Sequence, residues 1–246
     1  MKPSDSLIMP DWPAPSNVRA LQTTRLGGVS IAPYHSLNLG EHVGDDAISV
    51  ARNRMLLNRL LPSEPVWLEQ VHGIAVADAD RAGCRPVADA AVATRTGSVC
   101  VVMTADCLPV LLCDRQGTVV AAVHAGWRGL AAGAIEAAVG KMDVAPQDLM
   151  AWMGPAISQS AFEVGAEVRA AFVSQDQAAD AAFIQGQGDK YLADIYALAR
   201  LRLNALGVSQ IYGGDRCTFT DAERFFSYRR DGVTGRQGSF IWLENR

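Results

Sequence analysis

Several things are missing from this chain of 246 residues. No apolar run approaches the roughly 20 residues a bilayer-spanning helix needs, which excludes a membrane span of that kind. The opening MKPSDSLIMP offers three apolar residues in a row before a proline, too few for the core of a secretory leader, so the expected location is the cytoplasm. There is no basic surplus: 22 Lys and Arg stand against 26 Asp and Glu, a net charge of −4 with a pI near 5.6. A nucleic-acid partner held through phosphate neutralisation is therefore not expected. The five cysteines (Cys84, Cys100, Cys107, Cys113 and Cys217) contain no CxxC pair, which excludes a zinc ribbon or a thioredoxin-type motif. Their odd number prevents complete pairing within one chain, in keeping with free thiols in a reducing compartment. Internal repeats, low-complexity tracts and linkers are absent too.

What is present suits one folded unit. Hydrophobic residues make up 49% of the chain and charged ones 20%, with a mean hydropathy of +0.08, too apolar for intrinsic disorder. Four prolines among the first fifteen residues read as an irregular arm over residues 1–16, leaving 17–246 as a single domain. Val18 to Thr24 reads as a strand. A helix is expected from the Gly-Asp-Asp around Asp45 to Pro62, with Ile48, Ala51, Met55, Leu56 and Leu60 on its buried face. Strands are expected at Val66 to His72, Ile74 to Ala77, Val99 to Thr104, Val110 to Cys113 and Val119 to His124. A helix should follow Gly129, with Ala131, Ile135, Ala138 and Met142 inward. Further on come a strand at Leu149 to Met153, helices at Ala166 to Val173 and Lys190 to Leu206 (closed by Gly207), and short strands at Ile211-Tyr212 and Phe240 to Leu243. A mixed α/β domain is the economical reading.

The chemistry points to three residues. His72 closes one apolar run, His124 closes another, and Cys107 lies between them where one run gives way to the next. One Cys and two His match a catalytic zinc shell with an open fourth position, and equally a Cys nucleophile with a His base. The opposing reading is that Cys107 belongs to the core, as Cys100 and Cys113 do in their apolar runs. Asp106 would face away from Cys107 if both were extended, which suggests a capping or supporting role. The Gly126–Gly129 turn with Arg128, and Arg229, Arg230 and Arg236 in the tail, are candidate anion-binding elements.

Longer motifs go further. The run TADCLPVLLCDRQGTVVAAVHAGWRGLAAG from Thr104, with TTRLGGVS, SLNLGEHVGDD, WLEQVHG, GPAIS, FEVG and FFSYRRDGVTGR, resembles the YfiH family of laccase-domain proteins over nearly the whole chain after the arm. The family also goes by peptidoglycan editing factor and multifunctional purine nucleoside phosphorylase. The resemblance implies an α/β fold with mixed β-sheets layered between helices. It also implies a zinc site of His72, Cys107 and His124. Its activities would be phosphorolysis of adenosine, inosine or methylthioadenosine and deamination of adenosine, making a purine nucleoside and phosphate the partners. An alternative is hydrolytic editing of muropeptide precursors at the same trio. Copper-dependent phenol oxidation is disfavoured, because a multicopper centre needs more imidazoles than four histidines supply, although copper would compete for these N/S donors. A purely structural zinc would need a fourth ligand, for which His35 and His42 are the remaining histidines, His42 reading more simply as a cap for the next helix. Arg25, Asn38 and Arg128, polar positions within these motifs, are the candidate substrate contacts.

Overall fold

The computed structural model describes residues 6–81 and 83–245. In chain order the elements are β1 Leu7–Ile8, β2 Val18–Thr23, α1 Ala47–Asn58, β3 Val76–Asp78, β4 Ala90–Ala93, β5 Val99–Thr104, β6 Leu108–Asp114 and β7 Val120–Ala125. They continue with α2 Trp127–Ala132, α3 Ala134–Met142, β8 Leu149–Met153, β9 Glu163–Val164, α4 Ala166–Val173, β10 Phe183–Gln185 and β11 Tyr191–Ala193. The last four are α5 Ile195–Leu206, β12 Gln210–Gly213, α6 Tyr228–Asp231 and β13 Gln237–Leu243.

A six-stranded mixed sheet, in the order β12-β8-β6-β7-β4-β3, faces a four-stranded sheet, β1-β2-β13-β5. Between them lies a core of small and β-branched residues, including Ala91, Val102, Leu111, Ala122 and Ile241, closed by Trp152. The outer face of the larger sheet packs on α3, α5 and the small sheet β10-β11-β9. The outer face of the smaller sheet packs on Leu37, Leu39, Leu57 and Trp67. Every residue of β5, β6, β7 and β8 is buried. Strands covered on both faces need no polar alternation, which is why they read as unbroken apolar runs. The expected layering of mixed sheets between helices is what the chain adopts.

Local departures have physical causes. The arm is not wholly irregular: Leu7 and Ile8 pair antiparallel with Thr23 and Gln22, adding an edge strand; Met1 to Asp5 lie outside the described residues. The run Val66 to His72 is no strand. Its β-type pairing is limited to single bridges, Val66 with Cys100 and Glu69 with Val87, and His72 has a φ of 60°. The helix expected from Lys190 starts later, because Tyr191–Ala193 pairs in the small sheet and Asp194 then caps α5, accepting from Ala197 N at 3.0 Å. The helix after HAGWRG is two helices, broken at Gly133, whose φ of 102° favours glycine.

α1 turns an unexpected face inward. Ile48, Met55 and Leu60 are exposed, and Val50, Asn53 and Leu57 are buried. Asn53 decides this orientation. Its amide donates to Ser30 Oγ, Ser36 O and Asn38 O at 2.9–3.1 Å and its Oδ1 accepts from Val29 N at 2.8 Å. A buried side chain with that many partners outweighs an apolar stripe. The helix cap is Asp46, which accepts from Ser49 N at 2.9 Å, and not His42.

Candidate metal and substrate site

β6 and β7 pair antiparallel with Leu108 opposite Ala125, so Cys107 and Gly126 meet at the open end of the hairpin, one residue beyond that pair and two beyond His124. The Nε2 of His72 lies 3.8 Å from Cys107 Sγ, and the three donor atoms of His72, Cys107 and His124 all lie within 4.8 Å of one another. His124 is buried, Cys107 partly exposed and His72 exposed. Gly126 must be glycine for this approach: a Cβ there would stand 2.9 Å from both Cys107 Sγ and His72 Cδ2.

One buried carboxylate organises both histidines. Asp89 Oδ1 accepts from His124 Nδ1 at 2.8 Å, and the same carboxylate accepts from the backbone N–H groups of Val71, His72 and Gly73 at 3.2, 2.9 and 2.6 Å. It fixes the His124 tautomer with Nε2 toward the cluster and folds the His72 loop over it. Burial opposes the ionisation of Asp89, but His124 and these N–H groups hold its carboxyl below the usual range. Gln70 completes the loop. Its amide exchanges two hydrogen bonds with the Met103 backbone, at 2.8 and 2.7 Å, doing for this non-strand segment what a ladder would do for a strand.

The electrostatics follow. Burial pushes the Cys107 thiol up, but the facing His124 and then His72 outweigh it and bring it down to about 6. His124 is raised to about 9: burial disfavours its charge, while Cys107 and Asp89 favour it. Cys100 and Cys113, buried with no such partner, are pushed up. Two imidazole nitrogens and an anionic sulfur, one histidine anchored on a carboxylate, form a donor set zinc accepts with a position left open. The opening faces a cavity of about 610 Å³ whose walls include Trp127, Phe162, Tyr228 and Ile157 alongside Arg128, Arg229 and Arg236.

The family described as multi-copper polyphenol oxidoreductase laccase matches residues 19–244. The chain is 58% identical over 242 residues to the protein named purine nucleoside phosphorylase YfiH of Escherichia coli (strain K12), covering 96% of this chain and 98% of that one. It is 53% identical to purine nucleoside phosphorylase PA4543 of Pseudomonas aeruginosa, covering 97% and 98%. Among solved structures, the Neisseria meningitidis protein NMB0706 superposes with a TM-score of 0.95 at 51% identity, over 98% of this chain and 100% of that one. YlmD from Geobacillus stearothermophilus does so at 0.92 and 30%, over 100% and 98%.

This chain belongs to the YfiH, or laccase-domain, family.

Within this YfiH-family fold the other sequence candidates separate. Arg128 is exposed on the cavity wall, stacked on Trp127 at 4.5 Å. Arg25 does not line the cavity: it donates to His35 O and Ala222 O and stacks on Phe226. Asn38 is fully buried and also outside the lining, and its Oδ1 accepts from Arg236 N at 2.8 Å. Arg230 is occupied by Asp231 and by the carbonyls of Thr218, Phe219 and Phe225. His35 stands apart, whereas His42 lines the cavity. Asp106, at φ 98°, is not extended, so strand alternation does not apply to it. Its carboxylate accepts from Thr218 Oγ1 and Arg229 N, both at 2.6 Å, tying the Cys107 turn to the tail. Sequence reasoning missed Asp89, and it singled out Gly126 as part of an anion-binding turn but not as the clearance the cluster needs. The available signal for Asp89 was a lone acid opening the apolar run Ala90–Ala93.

Proposed function

We propose that this protein is a zinc-dependent purine nucleoside phosphorylase, acting on adenosine, inosine and methylthioadenosine, with adenosine deaminase activity in the same cavity. The observation that carries the reading is the His72–Cys107–His124 cluster opening onto a cavity that is aromatic and cationic together. Trp127, Phe162 and Tyr228 offer faces for a flat base, and arginines offer donors for an oxyanion. In phosphorolysis a phosphate oxygen forms the bond to the ribose anomeric carbon. The glycosidic C–N bond breaks with its electron pair going to the base, which takes up the proton phosphate gives. Here Asp89 holds His124 in one tautomer and Gly126 leaves room above Cys107. Bound at His72, Cys107 and His124, zinc would supply Lewis-acid polarisation of a substrate oxygen. Free thiols at all five cysteines fit a cytoplasmic location.

A second reading rests on the depressed Cys107 thiol facing His124: a thiolate nucleophile hydrolysing an amide of a muropeptide precursor, whose carboxylates the arginines would bind. Copper fits the same donors. Oxidation through several coppers does not fit, because His35 lies outside the cavity and His42 outside the donor cluster, leaving two imidazoles together.

The deciding measurement is base release from inosine by the purified chain, before and after chelation, with and without phosphate. The expected result is phosphate-dependent formation of ribose 1-phosphate, lost on chelation and restored by zinc. Equal rates without phosphate, yielding free ribose, would overturn phosphorolysis. Full activity of the metal-free chain, with an adduct on Cys107, would establish the thiol reading instead.

A further inference from the structure

Of the three arginines in the cavity wall, Arg128 and Arg229 are exposed and Arg236 alone is half-buried, with part of its donor capacity unused. Its backbone is clamped, N–H to Asn38 Oδ1 at 2.8 Å and carbonyl from Leu39 N at 3.1 Å, and its stem packs against Gly40, where a Cβ would meet Arg236 Cγ at 2.8 Å. Nη1 donates to Thr234 O and Gly235 O. Among the described residues, Nε and Nη2 donate to no protein acceptor and the guanidinium makes no ion pair. These two nitrogens form the flat edge that matches two oxygens of an oxyanion.

His42 lies in the same wall, on the loop packed against Arg236, and neither ring nitrogen has a protein partner among the described residues. Its surroundings are cationic. Arg54 and Arg85 share one carboxylate, Glu41, at 2.9 and 3.0 Å, so the local balance with Arg236 is positive. Burial first, then Arg236, Arg85 and Arg54, hold the imidazole below its ordinary pKa against the opposing pull of Glu41. A neutral imidazole presents one N–H donor and one acceptor, a match for an anion that still carries a proton.

We infer that Arg236 and His42 form the oxyanion subsite of the cavity and that its ligand is phosphate, the co-substrate of the reaction proposed above, on which this assignment rests. The Nε–Nη2 edge takes two phosphate oxygens, and His42 takes a third oxygen or the phosphate proton. A carboxylate has fewer oxygens and less charge than phosphate, and would leave part of this surplus uncompensated.

The test titrates inorganic phosphate, and separately acetate, into the full chain without nucleoside, followed by calorimetry or phosphorus NMR. Arg236→Gln should weaken phosphate binding by roughly tenfold or more, the loss of a charge-assisted pair of hydrogen bonds. His42→Gln should weaken it severalfold, and Arg19→Gln at the remote surface should leave it unchanged. Thermal melts confirm folding; should Arg236→Gln not fold, His42→Gln decides alone. Wild-type phosphate binding in both variants, no phosphate binding by the wild type at millimolar concentration, or acetate bound as tightly as phosphate would each overturn the subsite. The two claims fail separately. Phosphate held through these residues without inosine cleavage refutes the phosphorylase and keeps the subsite. Cleavage with a phosphate KM untouched by both variants does the reverse.

Discussion

Cys107 and His124 stand at the ends of two central strands buried on both faces, whereas His72, His42 and Arg236 come from loops on the other side of the cavity. The strand wall is held by ladder hydrogen bonds and close packing. The loop wall is held by side chains that imitate a ladder: Asp89 and Gln70 under His72, Asn38 under Arg236, and Asn53 under the loop that precedes His42. The difference teaches where precision comes from in each. A strand end needs only its register, but a loop needs a dedicated buried polar residue for each functional group it presents.

Asp89 belongs to both walls, so its removal should have the largest effect. Asp89→Ala leaves the N–H groups of His72 and Gly73 and the Nδ1 of His124 without their acceptor, and should cost about 10–100-fold in metal affinity and activity. A thiol readout isolates the electrostatic part. In the metal-free chain, alkylation of Cys107 should rise through a midpoint about 6. Asp89→Asn removes a charge that favours protonated His124, so less positive charge faces the sulfur and the midpoint should move upward. A midpoint unchanged in Asp89→Asn would mean that the strand wall sets the thiolate by itself.

The comparison also explains what was legible in the sequence. Strands β5 to β8 were readable, and so were Cys107 and His124, because double burial writes apolar runs and reactive residues stand out at their ends. His72 stood out as well, but on a run that is not a strand, and the rest of the loop wall was not legible. Val66 to His72 looked like a strand because Val66, Trp67, Leu68 and Val71 are apolar, and it is the Gln70–Met103 exchange and Asp89 that fix it without pairing. Arg25 and Asn38 lie within the motifs that carry the family resemblance, but the fold uses them on internal carbonyls and backbone. Local sequence cannot separate an arginine spent on carbonyls, such as Arg230, from one facing a cavity, such as Arg236, because the acceptors lie on distant segments.

Gly126→Ala tests the next smaller effect, the contact between the walls. The added methyl would lie 2.9 Å from Cys107 Sγ and His72 Cδ2, and the loop carrying His72 is the side able to yield. Overpacking of this kind costs about 1–3 kcal/mol, so metal affinity should fall by roughly tenfold while the strand core keeps its melting temperature. Metal content and a thermal melt of the metal-free chain check this. A large fall in Tm with metal affinity intact would mean that the strands, and not the loop, give way.

The smallest effect on the metal is expected farthest from it, in α1. Asn53→Ala removes the partner of Val29 N, Ser36 O and Asn38 O inside a fully buried position. The cost should be about 2–3 kcal/mol, a fall in Tm of roughly 5–10 °C. Metal affinity should hold, since Asn53 reaches only the loop that precedes His42 and not the one carrying His72, and a raised phosphate KM is the expected signature there. Met55→Lys, on the same helix but 66% exposed, should change stability by no more than about 0.5 kcal/mol. The apolar stripe of α1 and its polar Asn53 therefore make opposite claims about which face holds the helix. If Met55→Lys melted as early as Asn53→Ala, the outward stripe would be a buried surface in solution, and the loop wall would depend on whatever covers it.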